Sequence, residues 1–280
     1  MRFKIIHHTE YEFDSEVFLD PHYLRFKPRE TPCITVEKFS MSVVSKPIGY
    51  KRIRDEENNI VDFYWFDGLT KKLTIKAEST LEIKSFNPFD FILYPPQFNE
   101  IPFEYFEPRK RLLYASLQRK PISDDLLDYG DSLLKSCNFN TVSYLTALTK
   151  QICNDFMVVY RQVGAPFSPN RTFKHKKGSC RDLTWMQINL LRKQGIAARF
   201  VSGYYYYEMD EPKYELHAWV DVFLPGAGWV GFDPSYGMLT CNTHFPIAAS
   251  ANPENTMPVS GGIRGSATSK LITQLSIEKI

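Results

Sequence analysis

The chain has 280 residues, which is long enough for one large or two mid-sized domains, and we expect two hydrophobic cores. Apolar residues make up 43% and charged residues 24%, which excludes an intrinsically disordered chain, while the 15% of aromatic residues favours strands. The 34 basic and 32 acidic residues leave a net charge of +2, so charge points to neither a nucleic acid nor an anionic membrane as a partner.

Residues 1–90 are predicted to form an all-β domain. Residues 3–13 alternate apolar and mostly polar side chains, the period of two that places one face of a strand on a core. Residues 41–53 and 59–66 predict the arms of a hairpin, because the charged and asparagine residues between them tolerate turn geometry. Residues 69–86 continue the alternation as a third arm.

Two adjacent histidines, His7 and His8, are the residues of this β domain that most suggest a metal site. Neighbouring residues in a strand point to opposite faces, so the two rings cannot chelate one ion together. We therefore expect no catalytic or metal site in this domain. Its expected role is to pack against or flank a functional domain.

Residues 91–122 are predicted to be a linker, because six prolines between positions 88 and 121 interrupt any regular element. A second domain, residues 123–280, then begins with two helical patterns. Ser123 is a candidate cap for a helix that ends near residue 137, and a second helix over residues 141–157 places its apolar residues on one face.

The second half of this domain is predicted to be a sheet. Residues 198–207, 215–224 and 228–233 predict antiparallel strands, because a charged turn and a Pro-Gly-Ala-Gly turn separate them. Residues 269–280 predict one closing strand. Helices followed by an antiparallel meander indicate an α+β domain in which the helices pack on the sheet.

A cysteine lies at the predicted start of the most informative helix. Cys180 precedes Leu183, Met186 and Leu190 at helical spacing, and Gly195 ends the pattern. The unpaired amide groups and the macrodipole of a helix start favour the thiolate, which is the nucleophilic form. A free cysteine is more often a small buried residue, and on this stretch alone that interpretation stays open.

A histidine and an aspartate further along the chain are candidate catalytic partners of this cysteine. In the strand over residues 215–224, His217 points away from the aliphatic face, and Asp233 ends the next predicted strand. Neighbouring antiparallel strands can bring the two together, so that Asp233 orients the ring and the ring's other nitrogen faces Cys180. A buried structural histidine and an Asp-Pro turn are the alternatives.

Three segments, GSCRDLTW, LHAWVDVFLPGAGW and GFDPSYG, resemble in order and spacing the catalytic core of the transglutaminase-like superfamily, which is papain-like in fold. The segment LRKQGIAARFVSGYYYY also resembles the stretch between nucleophile and histidine in that family. Upstream, PHYLRFKPRE and WFDGLTKKLTI resemble the amino-terminal domain that accompanies this core in bacterial cysteine proteases of the superfamily. The resemblance covers nearly the whole chain.

The resemblance implies a papain-like α+β core preceded by an all-β domain. It implies a catalytic triad of Cys180 as nucleophile, His217 as general base and acid, and Asp233 as the residue that orients the histidine. It also implies a reaction without a metal or another cofactor, because nothing in the chain resembles the calcium sites of animal transglutaminases.

The residues and the resemblance together predict a cysteine-nucleophile hydrolase or acyltransferase that cleaves amide or isopeptide bonds through a thioester. Hydrolysis is the default outcome, because no sequence signal excludes water from the site. The alternative is a catalytically silent module that binds a protein. The expected partner is a peptide or another amide-bearing substrate, and the sequence carries no signal for an oligomeric state.

The sequence signals for the oxyanion hole and for the residues beside the sulfur are less specific. Arg181 can assist the thiolate or reach a substrate carboxylate, although a solvated helix residue is the simpler interpretation. Asp182 suits the positive end of a helix as a local stabiliser. An oxyanion hole needs the backbone N–H of Cys180 and a second donor, for which Tyr160 and Gln162 are candidates.

The cysteines indicate the compartment. Their odd number and scattered positions form neither a disulfide framework nor a CxxC metal pair, so a reducing, cytoplasmic setting is the simplest interpretation. They are Cys33, Cys137, Cys153, Cys180 and Cys241. We also expect a soluble chain that is not exported, because no apolar run approaches the ~20 residues of a membrane span and the first residues lack the apolar stretch of a secretory signal.

Overall fold

The computed structural model describes residues 1–45 and 47–280, so Lys46, within the first predicted hairpin arm, lies outside the described residues. Six strands come first in the chain, where the alternation of residue types predicts strands. They are β1 (Arg2–Leu19), β2 (His22–Leu24), β3 (Ile34–Val44), β4 (Pro47–Arg54), β5 (Ile60–Phe66) and β6 (Leu69–Ile83).

Helices dominate the middle of the chain. They are α1 (Arg109–Leu112), α2 (Asp124–Ser136), α3 (Thr141–Asp155), α4 (Pro169–His175) and α5 (Cys180–Lys193), with two short parallel strands, β7 (Met157–Val158) and β8 (Lys177–Gly178), among them. The cap predicted for α2 is wrong in one respect. The side chain of Ser123 makes no capping hydrogen bond, and its backbone N–H donates instead to Asn170 Oδ1 at 2.8 Å.

Strands fill most of the remaining chain. They are β9 (Ala198–Tyr205), β10 (Leu216–Leu224), β11 (Gly228–Asp233), β12 (Met238–Leu239), β13 (His244–Ser250), β14 (Val259–Ser260), β15 (Ile263–Arg264) and β16 (Ser269–Lys279). Short 3-10 helices at Pro96–Asn99, Ala115–Leu117 and Pro253–Thr256 complete the connections. Within the described ranges, none of the helices combines the length and the apolar character that crossing a membrane requires.

Two antiparallel sheets form a β-sandwich in the amino-terminal region. One sheet has the strand order β15-β1-β6-β3 and the other the order β14-β2-β5-β4. Buried side chains from both sheets, among them Val17, Leu24 and Ile75, share one core. The predicted hairpin arm over residues 41–53 is in fact two strands, because β3 pairs with β6 whereas β4 pairs with β5.

The end of the chain returns to this sandwich. Strand β16 pairs antiparallel with β1, while β14 pairs with β2 and β15 with β1. The closing strand predicted over residues 269–280 therefore exists, but it does not belong to the domain over 123–280 in which we expected it. Alternation shows that one face of a strand is buried and does not identify the strand that pairs with it. The domain limits 1–90, 91–122 and 123–280 otherwise stay a prediction.

The second region is α+β, as predicted. Its sheet has the order β12-β11-β10-β9-β13, and every strand pair in it is antiparallel. Helices α2, α3 and α5 cover one face, where Leu148, Leu190 and Val220 are fully buried in the largest core. On the other face Tyr204 and Phe245 pack against side chains of the sandwich, so the sheet lies between the helices and the sandwich.

Candidate active site

The predicted nucleophile begins a helix, as the sequence indicates. Cys180 is the first residue of α5, and Gly195 follows the helix end with φ +84°, a left-handed conformation that glycine adopts without steric cost. Asp182 Oδ2 accepts hydrogen bonds from the backbone N–H of Ser179 at 2.7 Å and from its hydroxyl at 2.8 Å. These bonds fix the turn that presents the sulfur.

Asp182 does more than stabilise the helix start. It is fully buried, and its Oδ1 accepts from the Arg161 guanidinium and from the Phe167 backbone N–H, both at 2.7 Å. The carboxylate therefore ties the loop over residues 161–167 to the helix that carries Cys180.

Arg181 is not the solvated residue that the sequence favours. Its half-buried guanidinium donates to the backbone carbonyl oxygens of Arg161, Gln162 and Val163. Burial and the neighbouring Arg161 cation lower the pKa of Arg181. The Arg181 side chain therefore also holds the loop over residues 161–167, in addition to the contacts made by Asp182.

His217 and Asp233 come together as expected, because β10 and β11 are antiparallel neighbours. His217 Nε2 donates to Asp233 Oδ2 at 2.6 Å. The Asp233 side chain is completely buried and that of His217 is 11% exposed. Asp233 Oδ1 accepts the backbone N–H of Ser235 at 2.8 Å, which holds the carboxylate in place.

The charges around His217 decide its protonation state. Burial alone lowers the pKa of His217, but the Asp233 carboxylate and the Cys180 side chain outweigh burial and raise that pKa to about 10. Burial opposes the charge of Asp233 as well, yet His217 and His244 hold the pKa of Asp233 well below its usual range. These charges favour the imidazolium form of His217.

A second histidine shares this carboxylate, and the sequence analysis missed it. His244, the first residue of β13, donates from Nε2 to the same Asp233 Oδ2 at 3.1 Å and is 3% exposed. Its Nδ1 accepts the backbone N–H of Cys241 at 3.3 Å, which fixes the position of the ring. The only signal in the sequence was that His244 is one of six histidines.

The thiol of Cys241 lies next to this histidine. The neighbouring His244 lowers the pKa of Cys241 to about 7, and the Thr243 hydroxyl, 3.4 Å from the sulfur, acts in the same direction.

Among the described residues, one group can hold a metal ion, because the ligand atoms of His217, Asp233 and His244 lie within 4.8 Å of one another. Imidazole nitrogens and a carboxylate suit zinc. Both Nε2 atoms, however, point at the same oxygen, where each N–H has its acceptor. The three side chains therefore form one hydrogen-bonded cluster.

A cavity of about 730 Å³ opens onto Cys180 and His217. Its walls are residues 158–162 after α3, residues 212–218 at the start of β10, and part of β1 and β16. The sandwich and the α+β region therefore line the cavity together. Its volume is in the range of cavities that bind small molecules or short peptide segments.

The Tyr236 hydroxyl is a hydrogen-bond donor that lines the cavity near the sulfur. The Tyr236 hydroxyl has no hydrogen-bond partner in the described part of the chain, and the Tyr236 ring lies 5.5 Å from that of His217. Burial, with Tyr205 and Asp233 nearby, raises the pKa of Tyr236 to about 12 and keeps the phenol protonated.

The two donors suggested by the sequence have other partners. Glu215 lies beside Tyr160, and together with burial it raises the pKa of Tyr160. Gln162 donates from Nε2 to the backbone carbonyl of Leu271 at 3.3 Å.

Two family models match the chain. Residues 3–82 match the bacterial transglutaminase-like N-terminal region, and residues 134–234 match the transglutaminase-like superfamily. The first match lies in the sandwich. The second contains Cys180, His217 and Asp233 but ends before His244.

Individual proteins are similar over different lengths. The uncharacterised protein Rv2569c of Mycobacterium tuberculosis is 22% identical over 311 residues, which cover 97% of this chain and 90% of that protein. A protein-glutamine gamma-glutamyltransferase of Pseudomonas aeruginosa is 32% identical over 71 residues, which cover 23% of this chain and 11% of the relative. The crystal structure of a candidate cysteine protease from Cytophaga hutchinsonii matches with a TM-score of 0.73 at 18% identity, over 100% of this chain and 91% of the other, which shows a shared fold.

Proposed function

Since this chain belongs to the transglutaminase-like superfamily, with the bacterial N-terminal region ahead of the core, we propose that it is a cysteine-nucleophile hydrolase or acyltransferase for amide or isopeptide bonds. The observation that carries the proposal is the buried 2.6 Å hydrogen bond between His217 and Asp233 beside Cys180. A cavity large enough for a substrate segment opens onto this pair.

In the proposed reaction the Cys180 thiolate attacks the carbonyl carbon and forms a C–S bond, and the carbonyl electron pair moves to oxygen. When the tetrahedral intermediate collapses, the C–N bond breaks and His217 Nδ1 gives its proton to the leaving amine. Asp233 stays ionised throughout and stabilises the imidazolium. The high pKa of His217 supports its role as the proton donor.

The oxyanion is proposed to bind between the backbone N–H of Cys180 and the Tyr236 hydroxyl. Both groups lie at the cavity, and the Tyr236 hydroxyl has no competing partner within the described ranges. A preorganised donor of this kind stabilises charge that develops on the carbonyl oxygen.

The thioester is proposed to react with water. Water bound near His217 loses its proton to the imidazole and attacks the thioester, which releases the acid and the Cys180 thiolate. An amine that enters the cavity would give a transglutaminase reaction instead. We propose that neither route uses a metal, and the hydrogen bonds from both Nε2 atoms to Asp233 support this.

The experiment is to trap the acyl-enzyme. The protein is incubated with a library of end-blocked hexapeptides and quenched in acid, and the mass added to the Cys180 peptide identifies the acyl group. The Cys180→Ser variant is the matched control. An acyl adduct confined to Cys180 is expected, whereas substrate turnover that survives in Cys180→Ser, or a complete lack of adduct, would contradict the proposal.

We also propose a reducing, cytoplasmic setting, because all five cysteines are free thiols and activated sulfurs are prone to oxidation. Fractionation of the source cells, with the protein detected by antibody, should place it with cytoplasmic markers. Recovery with periplasmic or membrane markers would contradict this assignment.

A further inference from the structure

Strand β16 has a free edge. It pairs with β1 from Phe3 opposite Lys279 to Phe13 opposite Ser269, without a register shift, and with no other strand in the described part of the chain. A free edge presents unpaired backbone N–H and C=O groups that can pair with another strand. The position of this edge in the molecule determines which kind of strand can reach it.

Two hydrogen bonds at the ends of the strand show which residues face β1. The backbone N–H of Ile280 donates to the Arg2 carbonyl at 3.0 Å, and the Thr268 carbonyl accepts from the Asp14 N–H at 3.2 Å. Residues of an antiparallel strand alternate in the edge to which their backbone groups point. The even-numbered residues of β16 thus face β1, and the odd-numbered residues face the free edge.

The odd-numbered residues Leu271, Thr273 and Leu275 all line the cavity that contains Cys180. Gln274 lines it too. Side chains of adjacent strand residues point to opposite faces, so a cavity that contacts Thr273, Gln274 and Leu275 borders the edge of the strand. Unpaired backbone groups therefore face the cavity.

One group of this edge already binds an amide. Gln162 Nε2 donates to the Leu271 carbonyl at 3.3 Å. A primary amide offers the same N–H donor and C=O acceptor as a peptide bond. The edge accepts in this structure the kind of hydrogen bond that a peptide backbone would make.

We propose that the free edge of β16 binds the substrate as an added β-strand, so that the substrate class is an extended, unfolded peptide segment. The proposal rests on the proposed function and assigns the sandwich a direct part in substrate binding. The backbone groups of Leu271, Thr273 and Leu275 would pair with alternate residues of the peptide and lead its chain towards Cys180. Side-chain identity would matter less than an accessible, extended backbone.

A proline substitution tests the outward N–H of Thr273. Thr273→Pro removes this donor without touching a bond to β1, and proline is tolerated on a free edge. Thr273→Val loses the same hydroxyl but keeps the N–H, so the ratio between the two variants isolates the backbone group. Acylation by p-nitrophenyl acetate, which is too small to reach the edge, reports whether the active site of each variant is intact.

The peptide for this test is the hexapeptide that acylates the wild type fastest. We expect KM for it to be at least tenfold higher in Thr273→Pro than in Thr273→Val. Equal KM values in two folded variants would overturn the proposal.

A second measurement varies the peptide and leaves the residues of β16 unchanged. The same hexapeptide is N-methylated at one backbone amide at a time, and its binding to Cys180→Ala is measured. Strand addition predicts a period of two, with about tenfold weaker binding at alternate positions and little change between them. If N-methylation weakens binding at positions that do not follow this period of two, strand addition is overturned.

Hydrogen exchange separates the two proposals. Pooled blocked hexapeptides added to Cys180→Ala should slow exchange at the amides of Thr273 and Leu275 even though no chemistry occurs. Unchanged exchange at both amides would contradict strand addition while an acyl adduct in the wild type still supported the enzyme. Slowed exchange without any adduct would support strand addition and contradict the hydrolase.

Discussion

His7 and His217 are buried histidines in two regions of the molecule, and they differ in what they contact. His7, in the sandwich, contacts two hydroxyl groups, with Nδ1 3.1 Å from Tyr204 and Nε2 3.2 Å from Thr9. Burial and the adjacent His8 lower the pKa of His7 to about 4, so the ring is neutral. His217 has the Asp233 carboxylate and a sulfur as partners, and its pKa rises to about 10.

Burial disfavours the charged form of both rings, so burial does not explain the difference. A carboxylate at hydrogen-bond distance does, because opposite charges interact strongly where water is excluded. In the sandwich, His7 has only neutral hydrogen-bond partners, and it forms part of the cavity wall. In the α+β region, His217 and His244 both hydrogen-bond the Asp233 carboxylate, and these three residues form what we call the charged site.

The largest expected effect comes from removing the charged site. Cys180→Ala and His217→Ala should each lower the turnover of the trapped substrate by roughly 10⁴-fold or more, because nucleophile and proton donor act as one unit. His22→Ala, which removes a buried histidine of the sandwich, is the matched control and should cost stability but little turnover. Steady-state rates and melting temperatures check the three variants, and comparable rate losses in all three would abolish the distinction between the regions.

Asp233→Asn should have an intermediate effect. The amide oxygen can still accept from the His217 ring and hold its orientation, but it stabilises the imidazolium poorly. We expect a loss of tens to thousands-fold in rate, measured as kcat on the same substrate. A variant with the rate of the wild type would mean that the carboxylate charge has no catalytic role.

Substitutions of His244 test whether catalysis needs both histidine hydrogen bonds to the Asp233 carboxylate. His244→Leu removes one donor and lets Asp233 rotate, so kcat should fall about tenfold to a hundredfold with little change in KM. His244→Gln places an N–H near the position of Nε2 and should recover most of the loss. Failure of the glutamine variant to recover activity, at an unchanged melting temperature, would argue against positioning through this hydrogen bond.

The two histidines should affect stability with opposite signs. The pKa of His217 is raised from 6.5 to about 10, so the folded state binds the extra proton and stability falls as pH rises from about 6.5 to 10. The pKa of His7 is lowered to about 4, so the unfolded state binds more protons and stability falls as pH drops from about 6.5 to 4. Denaturant unfolding from pH 4 to 10 should show His217→Gln flattening the alkaline limb and His7→Gln the acid limb.

The smallest expected effect is that of metal removal. The hydrogen bonds of Asp233 occupy both Nε2 atoms, so dialysis against EDTA should leave kcat/KM unchanged within error. Loss of activity that returns with a divalent cation would show that His217, Asp233 and His244 hold a metal in the active enzyme.

Local pattern was sufficient to predict much of this protein. Alternation predicted β1, β5, β6 and β16 of the sandwich but not β2, β14 or β15, and the spacing after Cys180 predicted α5. The strand order along the chain also predicted that His217 and Asp233 would lie on neighbouring antiparallel strands. These features depend on residues that are close in sequence, or on strands joined by one short turn, and period and turn chemistry determine both.

Only the tertiary structure decided which distant segments meet. His244 hydrogen-bonds Asp233 although β9 and β10 lie between their strands in the sheet order, and no local pattern specifies this contact. The closing strand pairs with β1, more than 250 residues away in sequence, and so brings its free edge to the cavity of Cys180. A sequence period states which face of a strand is buried; the partner is selected by packing and register over the whole chain, which residue spacing does not encode.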